Sequence, residues 1–337
     1  MKRLITFTLI FLGSFWDVKG QYHYVLSQYF QNMEIFNPAF TGFSNSLELK
    51  AGYRKQWAAF DGAPETLFLS FQTPLGRSGY PPFAYNSLRV SDPDLYFKLL
   101  QDQGNKKIKA LHGIGGFVVS ENLNLLKKVS FYASYSIRFQ LRNNFQLGLG
   151  ASGGYKTYQF DRDKFNVRNE ENDALFESFL LNGTNSGSFD LNAGIALYSP
   201  KFHLSYSINQ LVPDPTLLEE SSQSPEINRF HYLTINYSLD LPSKLKVTPG
   251  FLLRYTASSP LLTYYSMELD YRDKIWAMVA YRTEKAIIAG LGMKLAKTLR
   301  LNYSYDFSLS AIGEYLQGSH EVMLRFEFPQ FIRGSFY

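Results

Sequence analysis

The chain has 337 residues and no cysteine; 17% of it is aromatic, with 24 Tyr and 29 Phe against 3 Trp, and its mean hydropathy is -0.19. These values exclude disulfide scaffolds, thiolate metal sites, cysteine nucleophiles and a cysteine lipid anchor. A net charge of +5 with no run of five like charges gives no reason to expect a nucleic-acid partner, and after residue 20 no apolar run reaches the ~18 residues of a membrane helix.

The basic start Met1-Lys2-Arg3 precedes an apolar stretch from Leu4 to Trp16, and small Gly20 stands before Gln21. Residues 1–20 read as a cleaved secretory signal. Its removal takes away three bases and one acid, which lowers the net charge from +5 to +3. Residues 21–45 form a short N-terminal segment. Asn37-Pro38 and Thr41-Gly42 are turn chemistry, because Pro fixes φ and Asn and Gly tolerate positive φ. The segment either lies in the periplasm or folds back as a plug.

From residue 46 the apolar period is two. Leu47, Leu49, Ala51, Tyr53 and Trp57 share one face; Glu48, Lys50, Gly52, Arg54 and Gln56 share the other. The alternation recurs around 65–73, 112–120, 131–140, 145–152, 189–197, 202–208, 231–238, 246–255, 265–272, 274–282, 286–295, 299–307 and 321–328. That is about fourteen strands, each near the ~9–11 residues that cross a bilayer with tilt. Tyr53, Trp57, Phe131, Phe189, Tyr255, Tyr271 and Phe307 sit near strand ends, as interfacial girdles require. The fold class is therefore all-β: a transmembrane antiparallel β-barrel over 46–328, after the signal and the N-terminal segment.

A periplasmic N-terminus makes the connections at 142–144, 199–201, 240–244, 272–274 and 297–298 periplasmic and short, and puts 158–188, 210–228 and 308–318 outside. Short periplasmic turns with longer outer loops is the asymmetry of such barrels. The exception is the insertion 74–111, with Tyr80-Pro81-Pro82-Phe83 and a helix-like Leu95 to Gln101. Residues 329–337 extend past the last strand.

Two groups of residues invite a functional reading. Closure makes the first and last strands neighbours, so Glu48, Lys50 and Arg54 meet Glu321, Arg325 and Glu327 at an inward seam. They serve either as structural ion pairs or as a constriction ring. Asp61-Gly62 before Ala63-Pro64 marks a hairpin tip. Asn37, Pro38, Gly42, Arg54, Gln56, Trp57, Asp61, Gly62 and Pro64 either set this first hairpin or form a partner surface with the N-terminal segment.

Enzyme constellations are missing. None of the five His lies in an HExxH pattern. Gly113-Ile114-Gly115-Gly116 lies in a strand with no following helix to bind phosphate. His203 beside Ser205, or Glu268 beside Asp270, shares a strand face but has no base–nucleophile–orienter set. No catalytic residue, metal or cofactor is expected.

Four strings carry a family resemblance: Leu26 to Gly42 with Asn-Pro-Ala-Phe-Thr-Gly, Tyr53 to Thr66 with Arg-Lys-Gln-Trp and Asp-Gly-Ala-Pro, Arg300 to Phe307, and Gly318 to Leu324. The chain resembles the PorP/SprF family of Bacteroidota outer-membrane proteins from about residue 24 to 328. The resemblance implies an integral outer-membrane protein of the type IX secretion system, in some members linked to gliding motility. It implies as partners other secretion components and a large surface protein with a C-terminal sorting domain, which the barrel helps to secrete or retain. The 74–111 insertion and the nine residues after Phe328 depart from the family, so either Phe328 or Tyr337 is the terminal aromatic. The alternative function is an outer-membrane channel for small solutes or lipids.

Overall fold

A computed structural model describes residues 26–44, 46–75, 110–141, 145–161, 185–213, 229–257, 259–310, 315 and 317–329. The strands are β1 Ser46–Lys55, β2 Glu65–Leu75, β3 Ala110–Asn122, β4 Leu126–Gln140, β5 Gln146–Phe160, β6 Asn185–Tyr198 and β7 Phe202–Asn209. There follow β8, in two pieces Phe230–Tyr237 and Leu239–Leu241, then β9 Leu245–Thr256, β10 Ser259–Tyr271, β11 Ile275–Arg282, β12 Ala286–Lys294, β13 Leu299–Ser308 and β14 Ser319–Pro329. Each pairs antiparallel with the next, and β14 pairs with β1, so the described residues close a fourteen-stranded barrel. The two pieces of β8 keep one register along β9 (Asn236 opposite Gly250, Leu239 opposite Val247). The ladder lapses where Pro249 lacks a donor.

The faces are inverted relative to a water-soluble sheet. Outward positions are apolar and exposed: Leu69, Leu191, Met267, Val279 (60%) and Leu291 (62%). Inward positions are polar and buried, among them Lys50, Arg54, Asp190, Asn302, Asp306 and Glu321. Water would reward the opposite arrangement; a lipid surround with an enclosed lumen rewards this one. No helix among the described residues is long and apolar enough to cross a membrane. The seven girdle aromatics are all exposed, Trp57 in the turn after β1 and the other six on the strands, and Phe131, Tyr155 and Phe189 stand side by side across β4, β5 and β6. Three outward histidines each bond a tyrosine on the adjoining strand: His112 to Tyr135 (2.5 Å), His231 to Tyr206 (2.8 Å) and His320 to Tyr303 (2.8 Å). A ring nitrogen facing hydrocarbon would otherwise lack a partner.

Several strands outrun their sequence expectation. β5 continues from 152 to Phe160 and β6 begins at Asn185. Gly153-Gly154 looks like a breaker, yet the bare Gly154 makes room for a neighbour: a Cβ there would lie 2.4 Å from a Tyr132 ring carbon. β2 extends through Pro74 to Leu75, so the insertion is bounded by Leu75 and Ala110. The signal peptide, the helix-like 95–101, the turn 142–144, most of the two long loops (162–184 and 214–228) and the extension past Pro329, with Tyr337, lie outside the described residues.

The described part of the N-terminal segment lies within the wall. Leu26 to Ser44 runs inside the barrel as short helical turns, Tyr29–Asn32, Met33–Phe36 and Pro38–Phe40, and is buried throughout. Ser27 contacts Asp306 and Glu321, near the end of the barrel where β1 finishes; Ser44 bonds Ser46 at the end where β1 begins. The segment therefore traverses the lumen lengthwise. Its apolar side chains, including Leu26, Tyr29, Phe36, Phe40 and Phe43, join Phe68, Tyr132, Tyr198, Tyr232, Tyr264 and Met323 of the wall in one core.

An arginine on the outward face tests the inversion. Val279→Arg, near the middle of β11, is expected to cost about 2–4 kcal/mol in unfolding from lipid bilayers, and Phe307→Arg near a strand end about 0–1 kcal/mol. Equal costs at the two depths would contradict the assigned membrane band.

Candidate functional site: the filled lumen

Opposite positions on β1 and β14 are Glu48 with Glu327, Lys50 with Arg325, and Arg54 with Glu321. Only the last couple is of opposite sign, and like charges face to face are unfavourable. The structure resolves this diagonally. Arg325 reaches Glu48 (2.7 Å) and Glu327 (2.8 Å), and Arg300 approaches Glu327 at 3.4 Å. Lys50 turns into the lumen and binds both carboxylate oxygens of Glu34 at 2.7 and 2.9 Å, and donates to Gln31 O at 2.5 Å. Ser70 also donates to Glu34 (3.0 Å). The segment thus supplies a carboxylate that the wall needs.

A second cluster holds its first residues. Arg54 pairs with Asp306 at 2.8 Å and with Glu321 at 3.5 Å, and Arg282 reaches the same Asp306 oxygen at 3.2 Å. Ser27 Oγ donates to Asp306 (2.5 Å) and accepts from Arg54. Glu321 accepts the backbone N–H groups of Ser27 (2.7 Å) and Gln28 (3.1 Å), and Tyr264 donates its hydroxyl to Ser27 O (2.5 Å). Main-chain groups of an irregular segment need such partners once water is gone.

The Asn-Pro-Ala-Phe-Thr-Gly string is the turn that fits the segment to β2–β7. Asn37 caps its own turn by accepting from Ala39 N (2.9 Å), and its amide reaches Ile195 O and Tyr206 O, each at 3.3 Å. Pro38 takes the first helical position, where its missing N–H costs nothing. The backbone rides directly against the wall: a Cβ on Gly150 would lie 2.2 Å from Pro38 C, and one on Gly194 2.0 Å from Asn37 Oδ1. Gly42 has φ +62 and lies against Gly113. Gln72 bridges Gly42 N and Glu48 (both 2.9 Å), Ser136 donates to Thr41 O (2.6 Å), and Arg138 donates to Phe43 O (2.9 Å) and Gly42 O (2.6 Å).

The expected partner surface is thereby divided. Asn37, Pro38, Gly42 and Arg54 are enclosed, with polar groups turned to the wall or the segment. Gln56, Trp57, Asp61, Gly62 and Pro64 sit at the barrel mouth between β1 and β2. Gln56 N donates to Pro64 O (2.9 Å), Gly62 takes φ +73 against Asn124, and Trp57 N and Ala58 N donate to Ser319 Oγ (3.3 Å) and Gly318 O (3.0 Å). Trp57, Phe60, Asp61 and Gly62 are exposed. The seam residues Glu48, Lys50, Arg54, Glu321, Arg325 and Glu327 all lie inside. Glu34, Asp306, Arg282 and Arg138 complete the site. Period-two alternation places the last three inward, but nothing local marks their contact with the segment. His203 and Ser205 do not pair directly: Thr234 stands between them, 2.8 Å from His203 Nε2 and 2.6 Å from Ser205 Oγ. No group of three or more potential metal ligands occurs among the described residues.

A closed wall with an apolar exterior and a charged, occupied interior defines an integral membrane β-barrel. The model of the type IX secretion system membrane protein PorP/SprF matches residues 18–326, and the chain belongs to that family, which places the barrel in the outer membrane. No curated protein matches the chain. Among solved structures, Omp33 of Acinetobacter baumannii is 6% identical, with TM-score 0.46, over 85% of this chain and 100% of that one. The monoaromatic hydrocarbon channel CymD is 11% identical, with TM-score 0.48, over 92% and 95%. A FadL homologue of Pseudomonas aeruginosa is 10% identical, with TM-score 0.45, over 87% and 92%. Similarity at this level does not bear on what the chain does.

Removing Arg54 should take the paired cation from buried Glu321 and leave Asp306 with Arg282. Arg54→Ala is expected to destabilise the protein by about 3–5 kcal/mol in equilibrium unfolding, and to expose residues 26–44 to added protease. The double variant Arg54→Ala/Asp306→Ala should lose less than the sum of its single changes; strict additivity would show that the pair does not interact.

Proposed function

We propose that this barrel is an accessory of type IX secretion that binds a large surface protein with a C-terminal sorting domain and helps to secrete or retain it, without turnover. Other components of the secretion system and outer-membrane lipid are its surroundings. The observation that carries the reading is the occupied lumen: a barrel whose axis is filled by its own chain, held by paired charges, is suited to presenting a surface. The exposed tip Trp57–Gly62 lies at one mouth. At the same end β4, β5 and β6, of 15, 15 and 14 residues, exceed a membrane crossing. Beyond the row Phe131, Tyr155 and Phe189 the surplus is four or five residues per strand, about 13–16 Å along the strand at ~3.3 Å per residue. That raised sheet is the natural platform for a partner.

Comparing the surface and culture-fluid proteomes of the host with and without this gene tests the reading. One or a few large proteins with a C-terminal sorting domain should leave the surface or stall in the periplasm while general export continues. An unchanged profile would sink the proposal. The competing reading, a channel for small solutes or lipids, predicts steady selective conductance of the intact protein in planar bilayers; the accessory reading predicts a closed barrel that conducts only after the lumen segment is loosened, as by Lys50→Ala.

A further inference from the structure

β7 is much shorter than β6, and the difference leaves part of β6 with a single neighbour. β6 pairs with β5 along its whole length, Asn185 to Tyr198, but with β7 only from Ala193 to Tyr198. β7 stops where Gln210 takes φ +61. The chain then makes two last bonds to β6, Gln210 N to Asn192 Oδ1 (3.0 Å) and Leu211 N to Leu191 O (3.0 Å). From Leu191 toward the mouth that carries the 56–64 hairpin, no strand among the described residues pairs with β6 on this side.

In an antiparallel ladder the N–H and C=O of one residue aim at the same neighbour, and successive residues alternate. Leu191 O accepts from Leu211 on the β7 side. The main-chain groups of Phe189, Gly187 and Asn185 therefore aim to that side, and those of Asp190, Ser188 and Ser186 aim at β5. Leu191 N, with no β7 carbonyl to meet, donates to Asp190 Oδ1 (2.8 Å). Phe189 N and Gly187 N have no such substitute among the described residues. The open edge runs from Asn185 to Phe189, about 16 Å at ~3.3 Å per residue.

Exposed edges are usually blunted by a lysine, a proline, a bulge or an inward charge. Residues 185–189 read Asn-Ser-Gly-Ser-Phe, with no charge and no proline, and their register with β5 is unbroken. The next residue, Asp190, is buried and held by Tyr132 (2.5 Å) and Lys156 (3.4 Å). On the outward face Phe189 is 74% exposed and meets the Tyr155 ring edge to face at 5.1 Å; on the lumen face Ser188 is buried. A strand added here would stand in line with β7 and continue its ladder. It would set an outward side chain beside Phe189, lengthening the row Phe131, Tyr155 and Phe189, and an inward one beside Ser188.

We propose that the β6 edge Asn185–Phe189 captures an extended segment of a separate polypeptide by strand addition. The segment alternates aromatic or aliphatic residues, which continue the outward row, with small polar ones, which face Ser188. This gives the raised sheet its mode of engagement, and rests on that sheet being the partner's platform.

The sequence of β7, Phe202 to Asn209, has this alternation and already pairs with the other half of β6. A labelled synthetic peptide copying residues 202–209, with a lysine added at each end, is the probe. Amide hydrogen exchange of the full-length protein in lipid nanodiscs is read residue by residue. Without peptide, Gly187 and Phe189 should exchange at least about tenfold faster than Ser186 and Ser188, which are bonded to β5; saturating peptide should slow them about tenfold. Phe189→Pro removes the edge N–H and leaves the β5 ladder intact, so it should weaken peptide binding about tenfold relative to Phe189→Ala. If the proline variant does not fold, exchange in the unaltered protein decides. Slow exchange of Gly187 and Phe189 in the protein alone would mean that the edge is already covered, by its own chain or, where the slowing grows with protein concentration, by a second copy. Either result would overturn the proposal, as would the absence of saturable peptide binding or equal binding by the two variants. An unchanged host proteome would sink the accessory reading and leave these results standing. Normal surface proteins in a Phe189→Pro host, where deletion of the gene removes them, would sink strand addition alone.

Discussion

A charge enclosed within a protein wall has to be answered by another, and the interior of this barrel is organised around that requirement. Backbone register alone sets Lys50 opposite Arg325 and Glu48 opposite Glu327. Stranding a buried charge costs far more than a surface pair returns. Arg325 therefore reaches diagonally to Glu48, and Lys50 leaves the sheet to meet Glu34. The N-terminal segment is an electrostatic component of the wall rather than an inert filling. Its position follows from the pairing as much as from its own apolar side chains.

The same wall meets two different surroundings. Outside it presents apolar side chains to lipid, with Nδ1 of His112, His231 and His320 each tied to a tyrosine hydroxyl. Inside it encloses a protein core in which Phe, Tyr and Met of the wall pack against the segment, between two clusters of ion pairs. Every strand thus has two buried faces of opposite chemistry, which is why the alternation is so regular and why composition alone resembles that of a soluble protein.

The strand faces were legible in the sequence because period two survives in every strand, and the seam was legible because a closed barrel must join its first strand to its last. Glu48, Lys50, Arg54, Glu321, Arg325 and Glu327 could be placed inward on that logic. Their partners could not. Glu34 lies in a segment with no periodicity, and Arg138 and Ser207 meet carbonyls of that segment 95 to 171 positions away in sequence. Gly150 and Gly194 looked like ordinary small lumen residues; their meaning appears only when Pro38 and Asn37 come to rest on them. The upper part of β5 lies beyond the expected strand end at 152, and there Gly153 and Gly154 stay extended opposite Leu191 and Asp190.

Ser27 and Gln28, among the first described residues, are bound by Glu321, 294 and 293 positions later. The docking site for the beginning of the chain does not exist until β13 and β14 are in place. Contacts of such sequence separation form late, since the intervening loop must be closed before they return any free energy. Anchoring of Ser27 and Gln28 is therefore tied to closure of the sheet, whereas the grip of Lys50 and Ser70 on Glu34 and of Arg138 on Gly42 and Phe43 does not wait for the last strand.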